Sequence, residues 1–215
     1  MAGQKNRKHR GITLLEVLVA IAAGAVIFGL AMGILITTNQ TANQAMGKES
    51  LLQQTQLAMK EIRSVIEATV WPEDLATSLS AQTVLLFSKE RLGIFSAHNP
   101  KGGQFAYCLL GNIPIFITKS GQAGEARSAA GYVRSDPRTG QAVSSFSLPT
   151  DKLESSIRFS YATEVGADLQ PVWKENLPAG QKPRLIWVEL IVRDRERKNR
   201  QGQPDEVRMT TAISL

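Results

Sequence analysis

RGITLLE, residues 10–16, joins a basic leader to a long apolar run and decides how the rest of the chain is organised. Over residues 12–36 every residue is apolar or small except Thr13 and Glu16. A helix needs roughly 20 such residues to cross a bilayer, so the run predicts a transmembrane helix over residues 12–37. A carboxylate inside a membrane helix costs free energy, which makes Glu16 a candidate functional residue. The alternative is an interfacial Glu with no special role.

Basic residues lie on only one side of this run. The first charged residue after Glu16 is Lys48, whereas four basic residues precede the run: Lys5, Arg7, Lys8 and Arg10. Because positively charged flanks stay in the cytoplasm, we expect a cytoplasmic N-terminus and a translocated remainder. An ordinary cleavable secretory signal is excluded, since the apolar run is too long for one. An uncleaved signal anchor stays open.

The segment GITLLEVLVA, residues 11–20, resembles the class III signal of type IV pilins and type II secretion pseudopilins. The resemblance implies cleavage after Gly11 by the prepilin peptidase, which would make residues 1–11 a cytoplasmic leader peptide. It also implies N-methylation of the new first residue, Ile12. That residue is most often Phe in the family, so Ile12 is a mild departure from the pattern.

Each residue of this motif has a physical role under the resemblance. Gly11 has no Cβ, so an extended backbone can enter a protease cleft without a clash. Cleavage exposes the amine of Ile12, and Glu16 becomes its counter-ion, in the same subunit or in a neighbour. Such a pair acts mainly as a registry device, so we expect Glu16 to govern assembly. Gly29 and Gly33 form a small-xxx-small pair for helix packing, although simple glycine enrichment in membrane helices explains them equally well.

The charge of the chain does not point to nucleic acid. The full sequence carries 25 basic and 19 acidic residues, a net charge of +6. Without the four basic residues of the leader the net charge falls to +2. The remaining basic concentration, residues 193–200, is interleaved with Asp194 and Glu196 and is interpreted as a solvated hairpin tip. We therefore expect no nucleic-acid partner.

The fold predicted from the pattern is α+β and pilin-like. Apolar residues recur at helical spacing beyond the span, which predicts one helix from Thr13 to Val70 that Trp71-Pro72 ends. Residues 38–71 would be its amphipathic continuation, packed on the antiparallel β-sheet of a head domain over residues 72–215.

In the head, the apolar period changes to two. The last two strands form a predicted hairpin, and apolar residues on both faces of its first strand indicate a central strand covered by the helix. Residues 120–130 are predicted to be a loop. The predicted strands are Thr83–Phe87, Gly93–Ala97, Phe105–Leu110, Ile113–Thr118, Tyr132–Arg134, Ala142–Leu148, Ser156–Ala162, Leu185–Arg193 and Glu206–Ser214.

No catalytic motif is present in the sequence: there is no Gly-x-Ser-x-Gly elbow, paired-His motif, phosphate-binding glycine loop or zinc-type cysteine pair. We expect no enzyme, no cofactor and no metal. The single cysteine, Cys108, lies in an apolar run and is predicted to be a buried, inert thiol. His98 is predicted to be a surface loop residue. A calcium site is the alternative for four acids whose spacing matches no ligand loop: Asp194, Glu196, Asp205 and Glu206.

The expected function is that of a structural assembly subunit. The length of the head, with Leu177-Pro178 before the strand at residues 184–193, resembles a J-type minor pseudopilin of the type II secretion tip. The resemblance implies a single-pass inner-membrane protein with a periplasmic head. Its partners would be the prepilin peptidase, the other minor and major pseudopilins and the inner-membrane assembly platform. A PilW-like minor pilin of a type IV pilus or DNA-uptake system has the same layout. A membrane-anchored periplasmic enzyme or binding domain, with an uncut leader, is the alternative of another class.

Overall fold

The structure is a computed structural model, and it describes residues 13–74, 84–98, 105–117, 125–166, 170–178, 180–198 and 202–215. The chain divides into two compact units, residues 1–47 and 48–215. Helix α1, Leu14–Glu67, contributes to both units.

In the first unit, helix α1 exposes apolar side chains. From Thr13 to Met46 every described residue is exposed except Ala42, which is half-buried. Large apolar groups are among them, with Leu14 82% exposed and Phe28 68% exposed. One helix in the described part of the chain is long and apolar enough to cross a membrane, and it is α1. The expected span begins at residue 12, which lies outside the described residues.

In the second unit, helix α1 is amphipathic. Its buried residues recur every three or four positions, the spacing of a single helical face. Thr55 is the polar member, and its hydroxyl donates to the carbonyl of Leu51 at 2.7 Å. Leu57 points the other way and is 67% exposed. The buried face consists of Leu51, Thr55, Ala58, Met59, Ile62, Val65 and Ile66.

The helix ends earlier than the sequence predicted. It stops at Glu67, whereas the pattern extended it to Val70. Thr69–Val70 instead form strand β1 and pair with Ser96 and Phe95. The apolar spacing that favoured helix there also suits this short strand, and the pairing to a distant strand decided between them. A single 3₁₀ turn follows at Pro72–Asp74.

The first sheet has six antiparallel strands. The strands after β1 are β2 Leu86–Phe87, β3 Arg91–Ser96, β4 Ala106–Ile117, β5 Glu125–Ser135 and β6 Ala142–Ser147. Their order in the sheet is β1-β3-β4-β5-β6, and β2 pairs with the same strand β3 as β1 does.

Two predictions in this sheet were wrong. The strands expected at residues 105–110 and 113–118 are one strand, β4, which continues through Gly111-Asn112. A Cβ at residue 111 would lie 2.7 Å from the carbonyl oxygen of Glu90, so glycine here serves close approach and not a turn. The loop expected at residues 120–130 is strand from Glu125 onward, because β5 pairs with β4 along this length.

The second sheet has four antiparallel strands, which are β7 Leu153–Val165, β8 Pro171–Lys174, β9 Leu185–Lys198 and β10 Pro204–Ser214. Their order in the sheet is β10-β9-β7-β8. The predicted final hairpin is confirmed, with Ile186 opposite Ile213, and β9 is a central strand as expected. Only one face of β9 is fully covered, however, since Trp187 on the other face is 38% exposed. The pattern missed β8.

A single apolar core joins the helix and both sheets of the second unit. Ile62 of the helix, Ile94 of the first sheet and Leu190 of the second are all fully buried members of it. The sheets are also tied directly, because Asn112 Oδ1 accepts the N–H of Ile157 at 2.9 Å. Ile157, Phe159 and Tyr161 share the buried face of β7, as their alternation predicted.

The helix face gives a stability prediction. We expect Ile62→Ala to lower the free energy of unfolding by about 2–5 kcal/mol, because it leaves a cavity in the centre of the core. Leu57→Ala, on the exposed face of the same helix, should change it by no more than about 0.5 kcal/mol. Denaturation of the full chain in detergent, followed by tryptophan fluorescence, measures both. Equal losses would show that the helix does not bury the face described.

Candidate processing and assembly site

The described part of the predicted processing site begins at Thr13. Gly11 and Ile12, the expected cleavage and methylation residues, lie outside the described residues. Thr13 and Glu16 occupy the start of helix α1, where the first backbone N–H groups have no partner within the helix.

Thr13 and Glu16 form a capping box. The backbone N–H of Thr13 donates to Glu16 Oε2 at 2.9 Å, and the N–H of Glu16 lies 3.3 Å from Thr13 Oγ1. The Thr13 hydroxyl donates to the same carboxylate oxygen at 3.2 Å. Each residue therefore satisfies a backbone donor of the other, the reciprocal arrangement that Thr-x-x-Glu permits at a helix start. The sequence TLLE carried this signal, and the sequence reasoning missed it.

The capping box places the negative charge of Glu16 next to the predicted new terminus. Its carboxylate accepts from the N–H of the residue that directly follows Ile12. An anion at this end of a helix is also favoured by the helix dipole. The local geometry thus suits a counter-ion for the amine of the same subunit, and it gives Glu16 a structural role besides.

Gly29 and Gly33 lie on an open surface. A Cβ built on either residue would meet no heavy atom within 4 Å among the described residues. The helix itself therefore gives no reason for glycine at these positions, whereas close approach of a second helix does. Their role in packing stays a prediction.

Cys108 is fully buried and has no disulfide partner, as predicted. Burial raises the pKa of its thiol to about 11, against an opposing effect of Arg134. The thiolate, the reactive form of cysteine, is therefore disfavoured near neutral pH.

His98 lies in a loop, as predicted, but its side chain is partly buried and not fully at the surface. Its Nε2 lies 3.3 Å from Glu61 Oε1, and the side chain is 23% exposed. The hydroxyl of Tyr132 donates to the same Glu61 oxygen at 2.7 Å. Burial and this hydrogen bond raise the pKa of Tyr132 above its usual range. The cluster fastens the helix to the first sheet, a contact between distant residues that no local pattern reveals.

The acids considered for calcium are engaged in local contacts. Asp194 Oδ1 accepts the N–H groups of Glu196 and Arg197, at 2.9 and 3.2 Å. Arg193 Nε donates to Glu206 at 2.7 Å, and Asp205 lies 3.7 Å from Lys48 Nζ. Across the described residues no group of three or more His, Cys, Asp or Glu side chains could hold a metal ion.

Comparison with known proteins identifies the N-terminal motif. Residues 6–35 match the model of the prokaryotic N-terminal methylation motif. The matched segment contains Gly11, Ile12, Glu16, Gly29 and Gly33. No curated protein and no solved structure matches the chain.

The motif supports a type IV pilin-like or pseudopilin protein, and it implies processing by a prepilin peptidase and assembly with pilin-type proteins. The architecture agrees, since one long helix is followed by antiparallel sheets. The apolar helix and the motif together are consistent with a membrane-anchored protein.

Cys108 gives a reactivity prediction. Because its pKa is about 11 against an ordinary 9.0, the thiolate fraction at pH 8 is about 100-fold lower in the folded chain than in the unfolded one. Burial slows reaction further, so Ellman's reagent should react at least 100-fold faster in denaturant. Cys108 also contributes stability that is complete below pH 9.0 and is lost as the pH rises through about 11.

The control for this reaction is a thiol on the exposed helix face. Leu57→Cys in a Cys108→Ala background should react quickly without denaturant, since position 57 is exposed. Rapid labelling of Cys108 in the native chain would contradict its burial.

Proposed function

We propose that the chain is a minor pseudopilin of the J type, a structural subunit at the tip of a type II secretion pseudopilus that primes filament assembly for protein export. The observation that carries the proposal is the methylation motif of residues 6–35, set on a helix that continues into a β-rich unit. That combination provides an anchor for helix packing and a separate folded surface for contacts between subunits.

A structural role is favoured over an enzymatic one by the way reactive side chains are used. Cys108 is sealed in the core, and Glu61 binds His98 and Tyr132. Glu206 is held by Arg193, which keeps the pKa of its carboxyl below the usual range. Cys108 and the Glu61–Tyr132 pair are neighbours in the packing of the helix against the first sheet, whereas Glu206 pairs with Arg193 in the second sheet. Each group stabilises the fold where it lies.

The proposed location is the inner membrane, with a single span, a cytoplasmic N-terminus and a periplasmic head. The one-sided basic flank before the apolar run supports this orientation. The proposed partners are the prepilin peptidase, the other minor and major pseudopilins and the inner-membrane assembly platform.

The function is tested by deleting the gene for the chain and comparing secreted proteins with those of the complemented strain. We expect loss of a defined set of exported proteins, since an unprimed pseudopilus does not drive export. An unchanged set, with loss of surface filaments or DNA uptake, would make the chain a minor pilin instead. The mass of the membrane-extracted chain is measured alongside. A chain beginning at methylated Ile12 supports the class, and an uncut leader would favour an anchored enzyme or binding domain.

Glu16 provides a second test, because its charge and its capping role can be separated. Glu16→Gln keeps an acceptor for the capping box but removes the charge, whereas Glu16→Ala removes both. We expect normal cleavage of both variants and loss of assembly by about 100-fold or more. In the proposed assembly the pair of Glu16 with the amine of Ile12 would be buried, and removing one partner of a buried charge pair costs about 3–5 kcal/mol.

The readout is the fraction of mature chain recovered in crosslinked complexes with other pilin-type subunits. Thr13→Ala is the matched control, since it weakens the cap and leaves the charge in place. If Glu16→Gln assembled as the natural chain does, the cap and not the charge would be the function of Glu16.

A further inference from the structure

The charge-free part of helix α1 is longer than a bilayer requires. No charged residue occurs from Val17 to Gly47. At about 1.5 Å per residue this stretch is roughly 46 Å long, whereas the hydrocarbon core is about 30 Å thick. The excess is about 11 residues and coincides with the polar, uncharged segment of residues 37–47.

This polar segment is built as a short repeat. Residues 37–40 read Thr-Thr-Asn-Gln and residues 41–44 read Thr-Ala-Asn-Gln. Because residues four apart share a helix face, Gln40 and Gln44 form one column. Thr37 and Thr41 form a neighbouring column, which continues the line of Gly29 and Gly33.

The two columns differ in their hydrogen bonds. Thr37 Oγ1 donates to the carbonyl of Gly33 at 3.0 Å, and Thr41 Oγ1 donates to that of Thr37 at 2.9 Å. Both hydroxyls are thus turned back onto the helix, which leaves the threonine column small. The amides of Gln40 and Gln44 are exposed and make no such bond within the described part of the chain. Each retains two donors and an acceptor for a partner outside the chain.

We propose that Gln40 and Gln44 form an amide seam that hydrogen-bonds the uncharged helix of a neighbouring pilin-type subunit, just outside the membrane. This inference rests on the proposed function. The partner is proposed to be a neighbouring helix because residues 37–47 directly continue the helix that carries the methylation motif. Subunits anchored by the same motif run parallel, so their post-membrane segments lie side by side.

The chemistry of residues 37–47 also favours an uncharged helix as the partner. Lipid tails cannot satisfy an amide, and a charged head surface would find no ion-pair partner between residues 17 and 47. A polar helix without ion pairs is marginal alone and gains stability from lateral contacts. The small threonine column allows close approach, and the glutamines beside it are long enough to reach across.

The test labels the seam in the full chain in its own host membrane. Asn43→Cys, which flanks the glutamine column on the side away from the threonine column, carries a maleimide-linked benzophenone, while Cys108 is buried and stays unlabelled. After illumination, mass spectrometry identifies the adducts. We expect adducts on the helix of a pilin-type subunit. Gln40→Ala/Gln44→Ala should lower their yield about fivefold to tenfold through loss of two interhelical hydrogen bonds.

The matched control is Gln53→Ala/Gln56→Ala, two exposed glutamines of the same helix in the second unit, which should leave the yield unchanged. Alanine is the better helix former in both pairs, so a lower yield cannot come from a weakened helix. An unchanged yield in the seam variant, or adducts on lipid or head surfaces only, would overturn the seam. The N-terminal mass separates the two hypotheses: methylated Ile12 with an unaffected yield rejects the seam alone, and an uncut leader rejects both.

Discussion

Burial of one face of helix α1 in a core that it shares with both sheets is the contact on which the second unit depends. Ile62, Val65 and Ile66 are fully buried, and they belong to the same core as Ile94 and Leu190 of the two sheets. Each sheet has an apolar inner face, and such a face needs a second layer of structure packed against it. The helix is therefore a structural part of the head, so its position is fixed by the core and not by its own weak helical preference.

The same helix changes in character along its length. Up to Met46 its side chains are exposed, except for the half-buried Ala42, and free of charge after Glu16, which suits lipid and neighbouring helices. From Lys48 onward charges return and one face is buried, and Lys48 itself approaches Asp205 of β10. The boundary between the two units falls between Gly47 and Lys48, where the character of the sequence changes.

Sequence periodicity predicted the helix, the final hairpin and the inner face of β7 because each depends on regular local alternation. It failed where distant pairing decides the outcome. The sequence Gly111-Asn112 indicated a break, yet β4 continues through it because both residues pair with the distant strand β5. Strand β8 has only four residues, too few for alternation to be distinctive. At the site, the motif named Gly11, Ile12 and Glu16, while the contact of His98 with Glu61 could not be foreseen across 37 positions.

The sequence has a single cysteine, so the head forms no internal disulfide and its stability comes mainly from the apolar core. The pairs Lys89–Glu175 and Lys182–Glu73 are close, at 2.6 Å, but solvent-exposed, so each contributes little to stability. The apolar core supplies the larger part, and Cys108 lies within it. In the oxidising compartment proposed for the head, an exposed lone thiol would form mixed disulfides with other chains. Burial prevents this reaction in two ways: it blocks access to the sulfur, and it raises the pKa of the thiol. The packing that holds the helix therefore also prevents Cys108 from forming disulfides with other chains. Such disulfides would interfere with the contacts through which the subunit would assemble.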